Sequence, residues 1–166
     1  SALLGPLSIE KLGREYENLD SYMRKQLLNV INANTAKDKP FFLIGGSWRA
    51  IAKIHMQRIK YPLKIIQGYK VESKKLKKTL AFIRDSSFLN KYDEMNISSE
   101  RLELLPPSAR LLEIIIDELQ VKELTFSSFG VREGLIYQDL SEVEKRKDPL
   151  IEAAKFFQKK ESRFMN

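Results

Sequence analysis

A four-residue apolar run that stops at two glycines constrains the fold of this chain more than any other feature. Phe41 to Ile44 has the length and flanks of a buried strand, and Gly45-Gly46 ends it. Ser47 then occupies the position expected of a helix cap, and apolar residues at helical spacing follow as far as Tyr61-Pro62. A strand that turns directly into a helix is a unit of α/β domains, so an α/β fold is expected.

The rest of the chain continues the alternation of strands and helices. Gaps of three and four between apolar residues predict helices, and short apolar or β-branched runs predict strands. Polar linkers, glycines and prolines mark the boundaries. The predicted elements are a strand or extended segment at Ser1–Ile9, a helix at Ile9–Val30, a short strand or extended turn at Tyr69–Val71, a helix capped by Ser73, a helix at Glu100–Leu105 capped by Ser98 or Ser99, an interruption at Pro106-Pro107, a helix from Ser108 to about Gln120, a strand at Glu123–Ser128, a turn at Gly130, a strand at Leu135–Tyr137 and a last helix from Asp148-Pro149.

Composition excludes several classes of site. The 166 residues are 43% hydrophobic and 31% charged, which suits one domain or one lobe of a larger protein. The absence of Cys excludes disulfides, thiolate metal sites and a Cys nucleophile, and the single His55 excludes a multi-His metal site within this sequence. His55 is expected to be structural rather than catalytic. No apolar run approaches the roughly 20 residues of a membrane helix, so no membrane span is expected and the cytoplasm is the default compartment.

The charge is unevenly distributed. Lys and Arg number 29 against 22 Asp and Glu, a net charge of +7, and the excess is concentrated between Lys53 and Lys78, where Glu72 is the only acidic residue. Such a basic stretch favours a polyanion or nucleic acid as partner, and a solvated helix face explains it equally well. Its densest part, called the lysine stripe below, consists of Lys74, Lys75, Lys77 and Lys78.

The turn after the first strand is a candidate phosphate site. Glycines let a ligand approach the backbone, and a helix start offers free N–H groups to an anion. Gly45 and Gly46 supply the first feature, while Ser47 could add a hydroxyl and Arg49 a charge. A tight structural turn would need the same glycines.

Arg132 and Glu133 form a second candidate site. They lie between Gly130 and Gly134, at the junction of two predicted strands, where α/β proteins often bind ligands. Arg132 could hold a phosphate, and Glu133 could orient it or bind a water. An Arg–Glu ion pair that only fixes the turn is the alternative.

Three segments together resemble one family. They are Gly45-Gly-Ser-Trp-Arg-Ala-Ile-Ala, Ser99-Glu-Arg-Leu-Glu-Leu-Leu-Pro-Pro-Ser-Ala-Arg-Leu-Leu-Glu-Ile and Gly130-Val-Arg-Glu-Gly-Leu-Ile-Tyr. In this order they resemble the exopolyphosphatase / guanosine pentaphosphate phosphohydrolase (Ppx/GppA) family. Leu3-Leu4-Gly5 and Asp148-Pro-Leu-Ile-Glu-Ala-Ala-Lys extend the likeness over nearly the whole chain.

The resemblance implies a fold and one half of a catalytic core. Family members have an actin-like ATPase-type core, shared with sugar kinases and actin, made of two ribonuclease-H-like lobes around a cleft. This chain resembles the second lobe over residues 1–145, followed by a helix over residues 146–166 that leads toward a helical domain. The Asp-x-Gly-Ser-Asn-Ser and Asp-x-Gly-Gly-Gly-Ser segments of the first lobe, and its catalytic carboxylate, have no counterpart here.

The implied activity is hydrolysis of phosphoanhydrides. The intact protein is expected to release terminal phosphate from polyphosphate or guanosine pentaphosphate with Mg²⁺, whose ligands are expected in the absent lobe. In this lobe, Gly45, Gly46, Ser47 and Arg49 would face the cleft, with Arg132 and Glu133 opposite. The fragment alone is expected to be inactive, and a homodimer of the intact protein is compatible with the resemblance. A stand-alone module that binds polyanions or nucleic acid, and a lobe of a sugar-kinase-like ATPase, are the alternatives.

Overall fold

The computed structural model describes residues 18–31, 39–85 and 102–161. The elements within these ranges are, in order, α1 (Leu19–Val30), β1 (Phe41–Ile44), α2 (Gly46–Arg58), β2 (Tyr69–Glu72), α3 (Ser73–Arg84), α4 (Leu105–Glu118), β3 (Glu123–Ser127), α5 (Val131–Asp139), α6 (Glu142–Lys145) and α7 (Pro149–Glu161). The structure is therefore mixed α/β, as the sequence predicts. None of the described helices is long and apolar enough to cross a membrane.

The three strands form one sheet in which β3 lies between β1 and β2. β1 runs parallel to β3, with Leu43 opposite Phe126, and β2 runs antiparallel to β3, with Tyr69 also opposite Phe126. Alternate side chains point to opposite faces of a strand, so these three residues share one face, and all three are buried. Phe42 and Ile44 lie on the other face and are more than half exposed.

Helices α2, α3 and α4 cover the buried face of the sheet. Their apolar stripes and the inward residues of the strands form one core, with Ile54, Leu80 and Leu112 fully buried. A smaller apolar cluster joins α1 to α4, where Met23 and Leu27 pack with buried apolar side chains of α4. Burial of such stripes stabilises a helix more than its intrinsic propensity does.

Ion pairs reinforce the contact between α1 and α4. The Arg110 guanidinium donates to both carboxylate oxygens of Asp20, its Nε lying 2.9 Å from Oδ1, and to Glu113 at 2.9 Å. Arg84 of α3 donates to the same Glu113. The hydrogen bond from Arg110 lowers the pKa of Asp20. These pairs connect α1, α3 and α4 through Arg110 and the Glu113 carboxylate that it shares with Arg84.

His55 is buried inside the core. Its Nδ1 lies 2.8 Å from the Thr79 hydroxyl of α3, while its Nε2 has no hydrogen-bond partner among the described residues. Burial, and secondarily the charge of Arg58, lowers the pKa of this imidazole. The side chain packs between α2 and α3 and takes no part in the candidate site, in line with the structural role expected from the sequence.

The chain divides into two compact units, Ser1–Ser128 and Phe129–Asn166. The second contains α5, α6 and α7. Ser141 caps α6 by accepting from the Glu144 N–H at 3.3 Å, and the Asp148 carboxylate accepts from the Ile151 N–H at 3.2 Å at the start of α7. The start of the last helix at Asp148-Pro149 is therefore confirmed, while the family-domain boundary after residue 145 stays a prediction.

One predicted strand is wrong. Leu135–Tyr137 lies within helix α5, and Gly130 is the residue before its first turn rather than the centre of a strand–strand turn. The Glu133 carboxylate accepts from the Gly130 N–H at 2.6 Å, which supplies a local helix start. A three-residue apolar run is too short to show a periodicity that distinguishes a strand from a helix. The hydrogen bond between Gly130 and Glu133 favours the helix.

Three assignments of prolines and serines are also wrong. Pro106-Pro107 does not interrupt a helix but lies in the first turn of α4, where a missing N–H has no cost. Ser108 therefore lies inside α4 and donates to the Leu104 carbonyl at 2.7 Å. Ser73 is the first residue of α3, and its hydroxyl donates to the Val121 carbonyl instead of capping the helix. The predicted segments at Ser1–Ile9, at residues 9–17 and around Ser98 and Ser99 lie outside the described residues.

Candidate functional site

The turn between β1 and α2 has an unusual backbone at Gly45. Its φ of +136° lies in a region that residues with a Cβ rarely adopt, and the Arg49 N–H donates to its carbonyl at 3.1 Å. A Cβ at this position would lie 3.5 Å from Cδ1 of Trp48. The predicted cap is therefore wrong: the helix begins at Gly46 with Gly45 before it, and Ser47 lies in the first turn.

The N-terminus of α2 offers hydrogen-bond donors to an anion. No side chain among the described residues caps it, and its first turn contains no acidic residue. The first N–H groups of any helix have no intrahelical acceptor, and the helix dipole makes that end electropositive. Gly46 and Ser47, which contribute these groups, are partly exposed. The site therefore offers donors and positive potential without a competing carboxylate on the same turn.

Arg49 connects this turn to the carboxyl end of β3. Its Nη1 donates to the carbonyl of Ser128 at 3.0 Å, and its side chain is exposed. A guanidinium has five N–H donors, so one bond leaves others available for a ligand. Since β1 and β3 are parallel, their carboxyl ends lie at the same edge of the sheet. The candidate phosphate residues Gly45, Gly46, Ser47 and Arg49 are thus brought together there.

Gln67 belongs to the same cluster and was missed from the sequence. Its side-chain Oε1 accepts from the Ser128 N–H at 2.9 Å, the Ser128 hydroxyl at 3.0 Å and the Ser127 hydroxyl at 3.2 Å. The only sequence signal was the Gln67-Gly68 dipeptide, which indicates a turn but says nothing of this contact.

Arg132 and Glu133 belong to the second unit, in the first turn of α5. Glu133 uses its carboxylate to accept the Gly130 N–H, so it shapes the helix start. Arg132 is exposed. Arg132 and Glu133 follow each other in the first turn of α5, and the alternative of an Arg–Glu ion pair that fixes the turn stays a prediction.

Half of the lysine stripe is neutralised within the chain. Lys75 forms an ion pair with Glu72 at 2.8 Å, and Lys77 forms one with Asp117 at 2.5 Å. Lys74 and Lys78 are exposed. Ion pairs at the surface are weak and exchange readily with other anions, so these contacts reduce rather than abolish the positive potential of the stripe.

A cavity of about 370 Å³ lies at the other edge of the sheet, at the amino ends of β1 and β3. Phe42, Lys70 and Thr125 contribute to its lining. Neither the segment that begins at Gly45 nor the one that begins at Gly130 does. Size alone would place a ligand in this cavity, but the helix N–H groups and the Arg49 guanidinium that suit an anion lie at the carboxyl ends of β1 and β3.

A magnesium site is not formed by the described residues. Within residues 18–31, 39–85 and 102–161, no three His, Asp or Glu side chains are grouped as a metal site. The implied Mg²⁺, whose ligands are expected in the absent lobe, stays a prediction from the resemblance.

Comparison with known proteins points to one family. Residues 1–143 match the model of the Ppx/GppA phosphatase family, which covers the first unit and the start of the second. No curated protein matches the chain.

Proposed function

Because this chain belongs to the Ppx/GppA phosphatase family, we propose that it is the second, substrate-binding lobe of an actin-like hydrolase core. The intact enzyme would release terminal phosphate from inorganic polyphosphate or guanosine pentaphosphate. The family match over residues 1–143 is the observation that carries the proposal. The mixed α/β structure, with an uncapped helix start at one edge of its sheet, is compatible with it.

The β1–α2 turn would hold a phosphoryl group of the substrate. Gly45 provides the φ of +136° that directs the chain from strand to helix. Gly46 and Ser47 offer backbone N–H groups, to which Ser47 adds its hydroxyl. Arg49 supplies a full positive charge while its bond to Ser128 restricts where its guanidinium lies. Charge-assisted hydrogen bonds of this kind are the stronger class and suit a phosphate oxygen.

Arg132 and the lysine stripe would have separate roles. Arg132, exposed in the first turn of α5, would bind a phosphate, and Glu133 would keep the helix start in place through Gly130. The stripe would attract the remainder of a long polyanion by many weak contacts, which act through charge rather than geometry. No finding favours the nucleic-acid module or the sugar-kinase-like ATPase over this assignment.

Binding without turnover would test the proposal. The purified 166-residue chain is titrated with inorganic tripolyphosphate by calorimetry, and phosphate release from polyphosphate with Mg²⁺ is assayed in parallel. We expect binding but no release, because the family's catalytic carboxylate and Gly-rich loop have no counterpart here.

The matched variants are Arg49→Gln and Lys25→Gln, which remove the same charge. Arg49→Gln should weaken tripolyphosphate binding about tenfold or more, since bonds to charged groups contribute about 1.5–3 kcal/mol. Lys25 is exposed on α1, so its replacement should have little effect. Equal affinity of both variants, or turnover comparable to that of an intact enzyme, would contradict the proposal.

A further inference from the structure

The backbone around Gln67 is fixed by two hydrogen bonds. The Tyr69 N–H donates to the Ile66 carbonyl at 2.9 Å, which closes a turn over Gln67 and Gly68. Gly68 has a φ of +73°, the value that the third residue of a type II turn requires, and its N–H donates to the Phe126 carbonyl at 3.0 Å. The turn is thus attached to the central strand, which places the Gln67 side chain beside Ser127 and Ser128.

The orientation of the Gln67 amide follows from its partners. A backbone N–H can only donate, so the atom 2.9 Å from the Ser128 nitrogen must be the amide oxygen. The two serine hydroxyls donate to the same oxygen. The Nε2 group therefore points away from these three donors, and it has no acceptor in the described part of the chain. Gln67 is exposed, so these two N–H donors are accessible to a ligand.

Arg49 and Gln67 both form hydrogen bonds with the backbone of Ser128. Arg49 binds the carbonyl of Ser128, and Gln67 binds its N–H. Since the two backbone atoms belong to one residue, the guanidinium and the amide lie within about 10 Å of each other by standard backbone dimensions. A condensed phosphate has several anionic oxygens that could be shared between two such groups.

We propose that Gln67 is a substrate-binding residue that donates from Nε2 to an oxygen of a condensed phosphate, next to Arg49. Its three bonds through Oε1 fix the amide before the ligand arrives, so little side-chain entropy is lost on binding. The inference rests on the proposed function and adds one neutral donor, the Gln67 amide, which lies outside the two segments that begin at Gly45 and Gly130.

The replacement Gln67→Glu separates binding from structural support. A carboxylate can still accept from Ser128 and Ser127, so a purely structural role would survive the change. It has no N–H donor and carries a negative charge, so a contact with phosphate would be lost. Gln57→Glu is the matched control, because Gln57 is exposed near the other end of α2 and the change in net charge is identical.

The measurement is the affinity of the full chain for inorganic tripolyphosphate at about 0.1 M and about 0.5 M salt, together with hydrogen exchange of the Ser128 amide. Higher salt screens simple repulsion, while the loss of a direct contact persists. We expect Gln67→Glu to weaken binding about tenfold at both salt concentrations with unchanged Ser128 protection, and Gln57→Glu to weaken it less than about twofold.

The outcomes distinguish this inference from the proposed function. If Arg49→Gln weakens binding but Gln67→Glu does not, the inference is overturned and the proposed site stands. If Gln67→Glu weakens binding only at the lower salt concentration, its effect is remote repulsion and the inference is also overturned. If the unmodified chain does not bind tripolyphosphate, the proposed function fails, and the inference fails with it.

Discussion

Two glycine-containing segments of this chain, one beginning at Gly45 and the other at Gly130, both lie at the start of a helix. They are held in place by different interactions. α2, which follows Gly45, contributes six buried residues to the core, among them Ile51 and Ile54. α5, which follows Gly130, contains no buried residue. At its start, the Gly130 N–H donates to the Glu133 carboxylate, a local bond. The first segment is thus positioned by tertiary packing and the second by its own sequence.

This difference determines how firmly each segment could hold a ligand. A helix of nine residues without burial is marginal in water, because nucleation is costly and few hydrogen bonds repay it. The β1–α2 turn does not depend on the stability of an isolated helix, because unfolding α2 would expose its buried side chains. We therefore expect substitutions in the two helices to have different and sometimes opposite effects.

The largest difference is expected from truncating an isoleucine in each helix. Ile54→Ala should reduce the free energy of unfolding by about 2–5 kcal/mol, because Ile54 is fully buried. Ile136 is 66% exposed, and Ile136→Ala should change the same quantity by less than about 0.5 kcal/mol. Urea unfolding followed by circular dichroism measures both. Comparable losses would mean that α5 is packed against other parts of the protein.

Alanine in place of glycine should have opposite signs at the two sites. Gly45→Ala forces a Cβ into a φ of +136°, which should cost about 1–3 kcal/mol and weaken tripolyphosphate binding. Gly134 lies inside α5 with no atom within 4 Å of an added Cβ, so Gly134→Ala should add up to about 1 kcal/mol of helix stability. Thermal unfolding and helical circular dichroism measure these effects. A stabilising Gly45→Ala would contradict the backbone geometry at the turn.

The same contrast explains what the sequence could predict. The run Phe41–Ile44 is long enough and well enough bounded to be recognised as a strand, and the helix after it has a clear period. The cluster at the turn was predicted through Gly45, Gly46, Ser47 and Arg49, because strand, glycines and helix are adjacent in the sequence.

Features that depend on a single side-chain contact or on the exact start of a helix could not be predicted in this way. Leu135–Tyr137 was interpreted as a strand because three apolar residues carry no period, and one Glu133 carboxylate decides for a helix. Gln67 was missed because its partner Ser128 is 61 residues away, a separation that no local pattern reports. Pro106-Pro107 was interpreted as a break, although the first turn of a helix tolerates it.

Acid should weaken the first unit through His55. Burial lowers the pKa of this imidazole below the ordinary value of about 6.5, so the unfolded chain binds a proton more readily than the folded one. Stability should therefore be complete above about pH 6.5 and fall as the pH drops below that value. Unfolding by urea between about pH 5 and 8 measures the trend. Among the described residues, the His55 ring faces the Thr79 hydroxyl, the Tyr69 ring and the charge of Arg58.

The control is the double variant His55→Leu/Thr79→Val, which replaces the buried polar pair by apolar groups. It should remove the decrease between about pH 6.5 and 5.5. A decrease in stability that appears only below about pH 5 belongs to carboxylates such as Asp20, whose pKa is lowered in the folded chain. An unchanged slope in this range would show that His55 is not responsible.

The smallest expected effect concerns the lysine stripe. Replacing Lys74 and Lys78 by Gln should flatten the dependence of polyphosphate affinity on salt by up to about 1.4 units of log–log slope, since each ionic contact adds about 0.7. Replacing Lys75 and Lys77 should change it less, because these residues already pair with Glu72 and Asp117. Arg132→Gln should leave the slope nearly unchanged. Equal slopes in all variants would identify the stripe as a solvated helix face.

The most direct test of the anion site at the β1–α2 turn is a residue-by-residue titration. Backbone amide resonances of the ¹⁵N-labelled chain are followed by NMR as inorganic tripolyphosphate is added. The account predicts that the largest shifts occur at Gly46, Ser47 and Ser128, because the helix start and the Arg49 contact lie there. Shifts confined to the helix that carries Lys74 and Lys78, with the turn unaffected, would contradict it.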